Sequence, residues 1–151
     1  MASNAQVIAT LNGLIQTCRD GEEGFRTAAE GVRSPELKEL FHRYARQRAG
    51  FASELHDEVR RMGGEPAEGG SVTGSVHRGW MGLKAALTGE DEHAILGECE
   101  RGEDSALAAY RSALGVDLPS SVRSMVERQF AEVKEAHQHI RNLDRATGAG
   151  A

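Results

Sequence analysis

Aromatic residues make up 5% of the 151 positions, and β-branched residues neither cluster nor alternate over any strand-length stretch. Sheet structure is thereby excluded in favour of an all-α chain. No apolar run approaches the roughly 20 residues that cross a bilayer. The opening MASNAQVIATLNG also lacks the charged start and apolar run of a signal peptide, so a cytoplasmic protein without a membrane partner is expected. Positive charge is in deficit: 18 Lys and Arg against 23 Asp and Glu give a formal net charge of −5, and no basic stripe marks a nucleic-acid face. Only two cysteines are present, Cys18 and Cys99, without CxxC spacing. They read as small core hydrophobes rather than a disulfide or a metal knot.

What is present is long amphipathic periodicity. Steps of three and four give Ile8, Leu11, Ile15, Cys18, Glu22, Phe25, Ala29 and Val32 in a first helix over about 4–31. Ser34 and Pro35 then start a second, about 35–62, with Phe41, Tyr44, Arg48, Phe51, Leu55 and Val59 on its stripe. GGEPAEGGSVTGS forms a linker, and Val76, Trp80, Leu83 and Leu87 mark a short helix at about 75–88. A third long helix at 92–114 carries Leu96, Cys99, Glu103, Leu107 and Tyr110; a fourth at 120–144 carries Val122, Val126, Phe130, Val133, His137 and Ile140. The whole of 1–151 is expected to form one four-helix bundle. The 63–90 segment is long enough to span the bundle and set the second and third long helices parallel; a plain up-down-up-down bundle is the alternative.

Each long helix breaks its stripe about once, at Glu22, Arg48, Glu103 and His137, with Glu54, Glu100 and Gln129 one step aside. Carboxylates and imidazoles inside a bundle form the ligand set of di-iron and di-manganese proteins. Such sites use Glu-x-x-His on two helices, whereas the position three before His137 is Lys134 and Glu39-x-x-His42 lies near a helix start. Folding the first two helices back near Ser34 sets Glu22 level with Arg48 and makes them expected partners, since a core guanidinium needs a carboxylate. On the other hairpin His137 falls within a turn of Glu100. Two readings follow: a metal-free polar network of Glu22, Arg48, Glu103, Gln129 and His137, or an iron or manganese site drawn from Glu22, Glu54, Glu100, Glu103 and His137. The residue pair His137 and His139 points to different helix faces. Glycines 21, 24, 50, 97 and 102 are expected at close helix contacts. Trp80 reads as a lid on the bundle, or as an apolar surface for self-association. No phosphate loop, nucleophile elbow or dinucleotide fingerprint is present.

The segments LNGLIQTCRDGEEGF, FASEL, GSVHRGWMGLK, ILGECERGEDSAL and EAHQHIRNL together resemble a family of ferritin-like bacterial four-helix-bundle proteins described as a domain of unknown function. The resemblance covers nearly the whole chain and implies a ferritin-like bundle, in a superfamily whose better-known members bind two irons. It implies Glu22, Glu54, Glu103 or Glu100, and His137 as the carboxylates and imidazole of the four helices. The chain departs from that pattern in lacking the mid-bundle Glu-x-x-His pairs and in placing Arg48 there. A non-enzymatic structural or interaction protein, of a stress-associated kind, is the expected function; a ferroxidase-like or oxygen-reactive metal protein is the alternative.

Overall fold

A computed structural model describes residues 2–68, 80, 82–88 and 91–149, and these contain helices and no strand. Helix α1 spans Asn4–Gly31, α2 Pro35–Arg61, α3 Leu83–Thr88, α4 Glu92–Leu114 and α5 Ser120–Ala149. Starts and stops follow local chemistry. Ser3 Oγ accepts from Gln6 N at 3.1 Å, Ser34 Oγ from Leu37 N at 3.3 Å ahead of Pro35, and Asp91 Oδ1 from His93 N at 3.0 Å. Each satisfies an amide that the first turn leaves unpaired. Gly63, at φ 82°, takes the left-handed conformation that closes α2, and Gly64 N bonds back to Val59 O at 2.9 Å.

The hydrogen bonds at the two ends establish the topology. At one end Asn4 Nδ2 donates to Met62 O, and Asn12 clasps the outgoing chain through Glu65 O and Ala67 N. At the other end Glu92 Oε2 accepts from Arg33 N at 2.7 Å and Ser34 N at 3.1 Å. The segment between α2 and α4 therefore travels the height of the bundle, so α2 and α4 run parallel. Helix α1 packs against α2 and α4, α5 packs against α4, and α2 faces α4 across the diagonal.

Residue Trp80 is 3% exposed and lies over Gly24 of α1 and Gly102 of α4, edge-on to Phe25 with centroids 5.0 Å apart. A Cβ at either glycine would overlap the indole. The returning segment thus enters a groove that two absent side chains open. Residues Gly21 and Arg48 make the same kind of approach, while Gly50 and Gly97 meet nothing, so three of the five expected glycine contacts exist. Helix α3 begins at Leu83, and Trp80 and Gly82, within the helix expected at about 75–88, are not helical; residues 75–79, Val76 among them, lie outside the described residues.

The apolar interior divides into two clusters. One holds Leu11, Ile15, Phe51, Leu55, Val126 and Val133; the other holds Phe25, Phe41, Trp80, Ile95, Leu96 and Ile140. Along α2 and α4 the residues between these clusters are Arg48 and Glu103. A charged layer therefore sits at mid-height.

Candidate functional site

Arg48 and Glu103 are 1% and 0% exposed and meet across the bundle diagonal. The guanidinium donates Nη1 to Oε1 and Nη2 to Oε2, both at 2.6 Å, the two-pronged geometry that suits this pair. Its remaining Nε donates to Gln47 Oε1 at 3.1 Å, and its carbon lies 5.5 Å over the Phe25 ring. Gly21 supplies the space on α1: a Cβ there would sit 3.3 Å from Nη1. Burial acts to lower the Arg48 pKa, but the Glu103 charge and its hydrogen bonds outweigh it and the guanidinium is held charged.

Below this layer runs a second chain of polar groups. Tyr110 Oη donates to Gln129 Oε1 at 2.6 Å, and Gln129 Nε2 donates to Glu54 Oε1 at 3.1 Å and Phe51 O at 3.4 Å. Because the carboxylate and the carbonyl can only accept, the amide orientation is chemically determined. Tyr110 has spent its only proton on Gln129, so the Cys18 thiol, 3.2 Å away, donates to Tyr110. Glu54 reaches the surface, where Arg128 binds it at 2.5 Å. Replacing Tyr110 by Phe strands Gln129 Oε1 and is expected to cost about 1–3 kcal/mol in chemical denaturation.

Burial pushes the Cys18 thiol up to about 11, partly opposed by its bond to Tyr110 and the nearby Arg48 charge. Burial also drives Cys99 well above the ordinary thiol range. Neither thiol is an activated nucleophile, as the sequence led one to expect. A folded-state pKa above the unfolded one means stability is complete below about pH 9 and declines as pH rises toward about 11. Alkaline titration of stability should therefore show a fall over that window, smaller in Cys18→Ala. A thiol reagent at neutral pH is expected to label neither cysteine before unfolding.

The expected site residues separate. Glu22 does not pair with Arg48; it is held at 2.7 Å by each of Arg19 and Arg26, one turn either side on its own helix. The level of the expected pairing holds, but the residue facing Arg48 is Gly21, and one helical step turns Glu22 about 100° aside. Glu54 lies at the α2–α5 surface. His137 leaves the core and bonds Asp104 Oδ1 at 2.7 Å on the α4–α5 side, 14% exposed. His139 points instead to Tyr44 on α2, at 3.0 Å, so the two imidazoles do occupy different faces. Glu100 lies beside His137 as expected, joined by Asp104, which the sequence reading passed over. The signal for Asp104 was its i, i+4 spacing from Glu100. Trp80, expected as a lid or as a self-association surface, is enclosed in its own chain and has no apolar face to offer a partner.

Tested against a mid-bundle pair of metals, this donor set does not fit. Both Glu103 oxygens are spent on a permanent cation, Glu22 and Glu54 are neutralised by arginines elsewhere, and no imidazole among the described residues is bonded into the layer.

The sequence profile of the family described as Domain of unknown function (DUF2383) matches residues 6–115, from the first turn of α1 past the end of α4. The chain belongs to this family. The DUF2383 match stops short of α5, so the helix that carries Gln129 and His137 lies beyond it. Among solved structures, a mutant of Dps1 from Mycobacterium smegmatis superposes with a TM-score of 0.74 at 13% identity, covering 94% of this chain and 98% of that one. The fold is accordingly a ferritin-like four-helix bundle, with the extra helix α3 in the crossover. No curated protein matches the chain. No helix among the described residues is long and apolar enough to cross a membrane.

Proposed function

We propose that this DUF2383 protein is a non-enzymatic structural or interaction protein, a ferritin-like bundle whose centre has been given over to packing specificity. The bidentate pair of Arg48 with Glu103 carries this reading. A guanidinium cannot release its proton at physiological pH, so it occupies permanently the charge that a mid-bundle cation would supply. The pair also fixes register, because sliding α2 against α4 by one turn would bury two separated charges. Assembly with further copies of the chain would use helix exteriors, and a chain that sediments as a monomer at high concentration argues against assembly.

The test is anaerobic addition of ferrous iron followed by oxygen, with the oxidation rate followed optically. The rate with protein is expected to equal that in buffer, for the wild type and for Arg48→Met with Glu103→Leu alike. Faster oxidation that the double variant abolishes would overturn the proposal and restore a di-iron reading of the core.

A further inference from the structure

The α4–α5 seam carries a continuous line of imidazoles and carboxylates outside the central layer. On α4, His93, Gly97, Glu100 and Asp104 fall at i, i+4, i+7 and i+11 and share one stripe. On α5, His137 and Asp144 are two turns apart on the face turned to that stripe. The contacts interlock: His93 Nδ1 lies 2.9 Å from Asp144 Oδ1, the Asp144 carboxyl adjoins that of Glu100, and His137 Nε2 lies 2.7 Å from Asp104 Oδ1. Donor atoms of Glu100, Asp104 and His137 all lie within 4.8 Å of one another.

We infer that Glu100, Asp104 and His137 form a mononuclear site for a first-row divalent cation such as manganese, ferrous iron or zinc, on the side of the bundle. Three features carry it. A cation with bonds of about 2.1 Å holds its donors about 3–4 Å apart, a separation reached here by small rotations of three side chains from two packed helices. One imidazole with two carboxylates selects a borderline metal over magnesium or calcium, which prefer oxygen alone. The carboxyl of Asp144, paired with His93, also adjoins Glu100, so a third carboxyl group concentrates negative charge beside the three donors. Two anions in contact at a half-buried seam are relieved by a proton or by a cation.

The rest of the seam has the form of a supporting shell. Asp144 lies behind Glu100 and is itself held by His93, an outer layer of the kind that commonly surrounds ligating carboxylates. Asp104 is 60% exposed, which leaves an approach from solvent and room for water to complete the coordination. Arg101, the cation next to the stripe on α4, is engaged with Glu98 and does not enter the site.

The inference is independent of the proposal for the core and has its own readout. Manganese(II) is titrated into the full-length chain and free ion is followed by electron paramagnetic resonance; zinc competition supplies the tighter range. The wild type is expected to take up one ion per chain. Asp104→Asn and His137→Ala, both at partly open positions that the fold tolerates, should weaken binding by roughly tenfold or more, while Glu22→Gln leaves it unchanged. Absence of saturable uptake by the wild type overturns the site, as does equal affinity in both seam variants. Loss in Glu22→Gln with retention in His137→Ala would move the metal to Glu22 on α1 and overturn the seam site.

Discussion

Replacing Arg48 by Met is expected to remove about 3–5 kcal/mol of unfolding free energy, a large share of the roughly 5–15 kcal/mol that stabilises an ordinary domain. The loss comes from what stays behind. Glu103, 0% exposed, would keep a buried carboxylate whose two ion-pairing hydrogen bonds among the described residues both come from Arg48. Glu103→Leu is expected to be as damaging, since it strands the guanidinium. The double variant Arg48→Met with Glu103→Leu removes both charges and closes the two apolar clusters into one, so its stability should return to the wild-type level or exceed it. Gln47, only half-buried, can replace its lost donor with water. Urea denaturation of the four proteins gives the coupling energy directly. Single losses that simply add in the double variant would mean the pair contributes nothing as a pair.

Trp80→Ala is expected to cost about 3–5 kcal/mol, the cost of emptying a buried aromatic site. The second half of this prediction is a change of sign. In the wild type, Gly102→Ala places a methyl inside the indole volume, and the ring must leave the groove between α1 and α4. A loss of about 1–3 kcal/mol is expected, with red-shifted emission from the only tryptophan in the chain. In the Trp80→Ala background the same Gly102→Ala meets no ring and adds helix propensity, so it should stabilise by up to about 1 kcal/mol. Thermal melts with fluorescence detection distinguish the outcomes. A Gly102→Ala protein with unshifted emission and unchanged melting would show that the crossover does not depend on this groove.

Both effects were only partly legible in the sequence. Gly24 and Gly102 stood out as costly residues inside helical patterns, and Trp80 as an isolated aromatic after a linker. Nothing local connects them, because the ring reaches the glycines only after the chain has traversed the bundle. For Arg48 the helix-by-helix level was readable and the partner was not. Folding α1 on α2 sets residues 21 and 22 opposite Arg48, yet a rotation of about 100° decides which of the two faces it. Arg19 and Arg26 settle the matter by neutralising Glu22 on the outer side, and the carboxylate that meets Arg48 arrives from α4.

The sequence by itself determined the helices: their periodic stripes, the serines and aspartate that cap them, the glycines that stop α2, and the linker long enough to carry the chain back along the bundle. These depend on neighbours a few residues apart, and local propensity and amphipathicity suffice. The tertiary structure alone decided that Glu103 rather than Glu22 neutralises Arg48, that His137 turns from the core to the α4–α5 seam, and that Trp80 fills a groove instead of offering a surface. Those choices rest on helix rotation and diagonal contact between distant segments, where a shift of one residue exchanges a core position for a seam position.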